Sequence, residues 1–404
     1  MGATLATIDA ALKETWTTDR IVSQLYDDNP FLDELQKTKR YKVGAQAVTP
    51  IVTNRNGGYT AHPAAGSSAL NAAGNVGLAQ AVWNYTYHAQ QIQLERAAVD
   101  GTEGREIAVA NVVDVEVEGA VSELRKQITR QVVGGAGDAL IAQCTTGGAS
   151  TTVNLLSTGF GPDALSRGWL HPGLTVDIGT TASEAALAAD TVISGVSTVN
   201  NTITIGASVT TTSSHYVSIA NARAGTTSYE MNGLRNLVSA SADFGGITVA
   251  SNPSWASTVD STTTALTLDS LYTARRAVRQ TTGGAPDYVL TSLKQEENFY
   301  KLLQMQVRFN SDEALGAGKV ESAKFAGMRL NAHPDVPDRL AFLLSMKHLF
   351  ILENDKPGWT DRYTGGGRLE WKQGTTAIVG ALFYDCQLGT DRRNAHTALT
   401  ALTA

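Results

Sequence analysis

The segment closest to a catalytic or nucleotide-binding motif is Gly316-Ala317-Gly318-Lys319. A phosphate-binding loop wraps its ligand with backbone N–H groups, a Lys and a metal-holding hydroxyl. It would need Gly at 313 and Ser or Thr at 320, where Glu313 and Val320 stand. Gly134-Gly135-Ala136-Gly137 fails as a dinucleotide fingerprint, because the preceding pattern is helical where a strand is required. Its plain reading is a helix stop. The seven histidines, His62, His88, His171, His215, His333, His348 and His396, form no pair at metal-ligand spacing and no HExxH. His333 has Asp335 and Asp338 nearby, but Pro334 and Pro337 make that stretch a turn. No Gly-X-Ser-X-Gly elbow occurs. Asp114, Glu116 and Glu118 alternate along a helical pattern, so they do not share a face as paired carboxylates would. Cys144 and Cys386 lack metal spacing and read as buried free thiols. The expectation is no active site, no cofactor and no metal.

Composition points the same way. Charged residues are 17% of the chain, against about 25% in an average soluble protein. Net charge is −6 with the basic residues scattered, so no clustered Lys/Arg patch is available to grip phosphates. The first residues, MGATLATIDAALKETW, lack the basic start and apolar core of a signal peptide. The best apolar run, Leu340 to Met346, is too short to span a bilayer.

The order of elements says more than any motif. Ile8, Leu12 and Trp16 fall four apart, and Ile21, Val22, Leu25 and Tyr26 continue a stripe. Asn29-Pro30 breaks the chain before Phe31, Leu32 and Leu35. This is either a core-packing helical hairpin or an arm reaching onto a neighbour. Between 44 and 94 the only charged side chain is Arg55, and no Lys occurs. Residues 47–53 and 82–87 are β-prone, with Val82, Asn84 and Thr86 on one face and Trp83, Tyr85 and Tyr87 on the other. A long two-stranded hairpin follows, which is marginal alone in water and has edges that invite pairing, so it is expected to lie on another subunit.

Residues 100–133 carry the strongest helical pattern, capped by Asp100 and Glu103, with Val117, Val121, Leu124, Ile128 and Val132 among its apolar positions. Such a helix would run about 45–50 Å. Residues 150–225 are nearly uncharged and hold four β-prone runs, with a turn at Asn200-Asn201, which reads as a small inserted barrel or sandwich. From 266 the chain is mixed. A helix from Leu268 ends at Gly283-Gly284, 288–290 is a strand, and Ser292 with Gln295 opens a second helix. A loop is expected at 307–322 and a turn at 365–367. Strands are expected near 325–331, 340–345, 348–353, 376–382 and 383–388, before a short Ala/Thr tail.

This order resembles the major capsid proteins of tailed bacteriophages, the Hong Kong 97-type fold. Local phrases resemble them too: Asn29-Pro30-Phe31-Leu32, Pro286 to Ser292, Phe325 to Leu330, His333 to Asp338, Lys347-His348-Leu349 and Gln387 to Asn394. The resemblance covers nearly all the chain except 150–225. It implies an α+β fold divided into an N-terminal arm (1–43), an extended hairpin loop (44–95), a spine helix (96–149), an inserted β domain (150–225), an apical domain (226–340) and returning C-terminal strands (341–404).

The resemblance also implies a function. The chain would self-assemble as pentamers and hexamers into an icosahedral shell enclosing double-stranded DNA without sequence-specific binding. A separate scaffolding protein, a portal and a decoration protein would be its partners. It would belong to the virion, after assembly in the host cytoplasm. The missing leader implies no long fused scaffolding segment. Some members lock subunits by an isopeptide bond from a Lys in the loop; this loop has none, so the shell would be non-covalent. Phe31, Arg55, Trp83 and Tyr85 are the expected inter-subunit contacts, although Trp83 and Tyr85 could equally pack their own ribbon. The alternatives are an encapsulin-type cargo compartment and an enzyme whose site assembles from distant residues.

Overall fold

The computed structural model describes residues 30–38, 42, 43, 46–62, 69–72, 74–97, 112–156, 161–262, 264–307, 324–354, 356–359 and 370–403. The helical readings at 8–16 and 21–26, the Asp100/Glu103 cap, the Gly316–Lys319 segment and the 365–367 turn lie outside them.

Two mixed sheets form the body. In one, the long strand Ala377–Thr390 pairs antiparallel with Thr86–Glu95 at one end and with Leu349–Glu353 at the other. Gln36–Thr38 adds to its edge, parallel to Leu349–Glu353. The second sheet runs Thr258–Asp260, Thr397–Leu399, Ala341–Leu344, Tyr288–Thr291, Met328–Ala332, Lys324–Phe325. Its central strands Tyr288–Thr291 and Ala341–Leu344 are buried at every position, as strands covered on both faces must be. Strands on the two sides of residue 340 pair directly, so the C-terminal strands complete the sheet that the preceding segment begins.

Two expectations from the C-terminal region need correction. The strands placed at 376–382 and 383–388 are one strand, because no turn residue separates the β-prone Leu382-Phe383-Tyr384 from what precedes it. The expected tail also contributes a strand, Thr397–Leu399. Its three residues are buried because pairing with Thr258–Asp260 and Ala341–Leu344 leaves it inside the sheet.

Helix Leu268–Thr282 starts with a reciprocal capping box between Thr267 and Ser270 and stops at Gly283 in the left-handed conformation (φ 73°). Helix Leu293–Val307 uses half of the expected box. The Gln295 N–H donates to Ser292 Oγ at 3.2 Å, while the Gln295 side-chain amide instead donates to the carbonyls of Asp338 and Thr403. Leu271, Ala274 and Phe299 from these helices bury against Val289, Met328 and Leu330 of the sheet.

The long helix is described over Val112–Gly134. Its 23 residues span about 34 Å. Ala120, Leu124, Ile128 and Val132, four apart, bury one face. Leu124, Ile128 and Val132 join the main core with Phe31, Trp83, Phe244, Tyr288, Leu352 and Leu388.

The inserted region folds around a core of its own. Six strands in the order Ala142–Gln143, Tyr216–Ile219, Thr175–Gly179, Ala188–Ser197, Thr202–Thr211, Gly147–Asn154 form one curled sheet. Its two edges meet: Cys144 bridges to Leu155, and the Leu156 N–H donates to the Gln143 carbonyl at 2.8 Å. The result is a small barrel filled by Cys144, Val176, Ile178, Ile193, Ile203 and Val217. The turn read at Asn200-Asn201 is there, with Asn201 at φ 51° and Ser197 opposite Thr202.

Candidate interaction surface

The hairpin comprises Gln46–Asn54 and Gly77–Asn84, in register from Gln46 opposite Asn84 to Val52 opposite Leu78. Strand alternation divides its side chains between two faces. Ala47, Thr49, Ala81 and Trp83 turn inward and are buried. The outward face carries the opposed pairs Gln46–Asn84, Val48–Val82, Pro50–Gln80 and Val52–Leu78, without a single charge.

The root of the ribbon is pinned to its own subunit. The Trp83 indole N–H donates to Thr49 Oγ1 at 3.3 Å, and its ring meets Phe244 edge-on at 5.1 Å. The Val82 N–H donates to the Gly245 carbonyl at 2.8 Å. Only glycine fits there: Gly245 has φ 64°, and a Cβ would stand 2.8 Å from the Trp83 ring. Ser254 Oγ donates to the Thr53 carbonyl at 2.6 Å.

Beyond the root the ribbon's larger apolar side chains stand exposed. Val52 is 63% exposed, Leu78 74%, Leu70 74% and Tyr59 82%. Local bonds hold the distal part, including two from Asn71, to Thr60 Oγ1 and to the Tyr59 carbonyl. Large apolar side chains collected on a ribbon whose one charged residue is Arg55 make it the chain's candidate interaction surface.

The expected contact residues separate accordingly. Arg55 lies on the exposed distal part. Phe31 is fully buried and packs on Tyr288 at 5.9 Å between ring centres. Trp83 and Tyr85 are buried in the same core, so in this conformation they secure the ribbon to its own body. The expected alternation ends at Tyr85. Tyr87 is exposed, because the chain changes sheets there and pairs with Ala377–Thr390. Val52 and Leu78 escaped sequence reading. Their signal is the odd–even alternation that buries Trp83, carried back through the hairpin register.

A second seam joins the barrel to the body. Arg167 donates to the Pro334 carbonyl and to Asp338 Oδ1, the latter at 3.0 Å. The Trp169 indole N–H donates to Asp335 Oδ1 at 3.3 Å. Trp169 also lies against Gly134, where a Cβ would come within 2.8 Å of its ring. Gly134, expected as a helix stop, thus also makes room for the barrel. The turn containing His333 is this docking point, and His333 Nδ1 accepts from the Asp335 N–H at 3.1 Å.

Between barrel, long helix and strand Thr86–Glu95 lies a cleft of about 870 Å³. Polar side chains lining it have partners: His171 with Glu123 at 3.2 Å, Gln127 with Glu123 at 2.7 Å, His88 with Gln131 at 2.8 Å, and Glu230 with Arg130 behind it. Among the described residues no group of three or more His, Cys, Asp or Glu could hold a metal ion. Burial pushes the Cys144 thiol up to about 12 and raises Cys386 as well, away from nucleophilic thiolate chemistry. No helix among the described residues is long and apolar enough to cross a membrane.

No protein-family model matches the chain, and no curated protein matches it in sequence. Solved structures do match. The cyanophage A-1(L) capsid asymmetric unit aligns with a TM-score of 0.57 and 14% identity over 98% of both chains. The capsid of a native GTA particle aligns with a TM-score of 0.52 and 10% identity over 100% of both. An encapsulin complex from Synechococcus elongatus aligns with a TM-score of 0.47 and 9% identity, over 99% of this chain and 96% of that one, too distant to carry weight. At these identities the likeness establishes the fold, which is the α+β Hong Kong 97-type capsid fold.

Proposed function

We propose that this chain is the major capsid subunit of a tailed bacteriophage, building an icosahedral shell around double-stranded DNA. The observation that carries this reading is the end-to-end likeness to the cyanophage capsid subunit, over 98% of both chains. The uncharged outward face of the hairpin supports it, since a ribbon with so little support of its own fits a neighbour's surface. Many modest contacts repeated around closed rings of pentamers and hexamers compound into a stable wall. The net charge of −6 suits a wall that does not adhere to its packaged nucleic acid.

The work of the subunit is mechanical. The hairpin clasps a neighbour through Val52, Leu78 and the distal segment around Arg55. The second sheet and its two helices gather around the five- and six-fold axes. A scaffolding protein directs closure in the host cytoplasm, and a portal and a decoration protein complete the virion. The subunits hold together without covalent links, since residues 44–94 contain no Lys.

Negative-stain microscopy of the expressed protein, alone and with its candidate scaffold, tests the reading. Uniform closed particles containing nucleic acid in infected cells support it. Discrete small oligomers under every condition would refute it, and closed particles filled with a cargo enzyme would reassign the shell to a protein compartment. Boiling purified shells in SDS should release single subunits; a ladder would overturn the non-covalent part.

A further inference from the structure

We infer that His396 is an acid-operated clasp on the crossing between the two body sheets. Among the described residues the chain passes directly from a strand of one sheet to a strand of the other twice, at 345–348 and at 391–396. The two links lie side by side. Leu349 opposite Thr390 ends the ladder in one sheet, and Leu343 opposite Thr397 begins it again in the other. His396 stands between the links, fully buried.

Hydrogen bonds fix the state of its ring. The Ser345 N–H, on one link, donates to Nδ1 at 3.2 Å, so that nitrogen carries no proton. Thr390 Oγ1, where the other link begins, faces Nε2 at 3.2 Å and gives its own proton to the His348 carbonyl at 2.7 Å. Nε2 is therefore the nitrogen that donates. Only the neutral ring with its proton on Nε2 satisfies all three bonds. A second proton would enter at Nδ1, point at the Ser345 N–H and leave a buried backbone donor without an acceptor. The charged side chains of the links are Lys347, His348, Asp391, Arg392 and Arg393. His348 pairs with Asp391 at 2.8 Å, and Arg393 is buried against the carbonyls of Leu237 and Asn236. Asp287, from the neighbouring strand end, holds the Met346 N–H at 2.9 Å. Burial, then the nearby His348 and Arg393, lowers the pKa of His396 to about 3. In mild acid the ring takes up its proton only when the crossing opens.

The inference does not depend on the shell reading. The test is amide hydrogen exchange of the full chain in a pH series, corrected for the intrinsic pH dependence of exchange. Protection at 345–349 should fall about tenfold per pH unit between about pH 6 and 4, because each opening lets the ring bind one proton. Protection at 176–178, inside the barrel, should hold over the same range and mark the opening as local. In His396→Gln the side-chain amide can accept from Ser345 and donate to Thr390 but does not titrate, while Asp287, His348 and Asp391 stay in place. Its protection at 345–349 should stay flat with pH. A flat profile at 345–349 in the native chain would overturn the inference, as would the native slope persisting in the variant. Should the variant fail to fold, the native series decides alone: a fall at 345–349 matched by an equal fall at 176–178 is global unfolding and would overturn the clasp.

Discussion

The hairpin and the inserted barrel are both poor in charge and both project from the two-sheet body. They bury their apolar residues in opposite ways. The barrel closes its sheet edges on each other and packs Ile178, Ile193, Ile203 and Val217 inside, so its core is complete within one chain. The hairpin has one covered face at its root and an open apolar face from Val52 and Leu78 outward. A closed barrel removes the unpaired edges that invite association; a ribbon keeps them. Low charge alone therefore does not identify an assembly surface. What distinguishes the hairpin is low charge combined with apolar side chains that stay exposed on the single chain.

The contrast is testable at the roots of the two regions. Trp83→Ala removes the side chain that pins the hairpin to Phe244 and should destabilise the subunit by about 3–5 kcal/mol, read by denaturant unfolding. Trp169→Ala should cost a similar or somewhat smaller amount, within about 3–5 kcal/mol, because the Asp335 bond and the Gly134 contact go with it. The two should differ in consequence. Loss of Trp83 should increase protease cleavage in the hairpin, whereas loss of Trp169 should leave the hairpin resistant and loosen the barrel against the body. Equal cleavage patterns would erase the distinction.

Protonation sharpens the comparison with smaller effects. His396 is buried in the body, taking the Ser345 N–H at 3.2 Å and facing Thr390 Oγ1 at 3.2 Å. Burial, with His348 and Arg393 nearby, lowers its pKa to about 3 from the ordinary 6.5. Between those values the unfolded chain holds a proton the folded chain refuses. Stability should therefore fall as pH drops below about 6.5, and His396→Gln should flatten that slope in a series of melting curves. His171, at the barrel seam, responds with opposite sign. Its hydrogen bond to Glu123 raises its pKa above 6.5, against partial burial and the nearby Lys126. The contribution is complete below pH 6.5 and disappears as pH rises through the raised value. Glu123→Gln should remove it, at a cost under about 1 kcal/mol for a partly exposed pair. The body thus loses stability in acid while the barrel seam gains.

Much of this was legible in the sequence. The hairpin, the barrel strands, the turn at Asn200-Asn201 and the capped helix Leu268–Thr282 all announce themselves by local pattern, because caps, turns and alternation are short-range chemistry. The parts that did not show depend on distant partners. Thr397–Leu399 looks like part of an Ala/Thr tail until the sheet supplies neighbours on both sides. Trp83 and Tyr85 look like contact aromatics until Phe244 and the rest of the core close over them. Val52 and Leu78 emerge as a pair only when the register sets them opposite each other. Gly134 and Gly245 read as punctuation, yet each makes room for a tryptophan from elsewhere in the chain.

The most direct measurement is electron microscopy of particles formed by the native chain and by Val52→Asp/Leu78→Asp, alongside the unfolding midpoint of each subunit. Both positions are exposed on the single subunit, so the unfolding free energy should change by no more than about 0.5 kcal/mol per site. Expressed with the candidate scaffold, the native chain should give uniform closed shells and the charged variant should give none, since two carboxylates would be buried unpaired against a neighbour. Closed shells of normal size and yield from the variant would contradict the account.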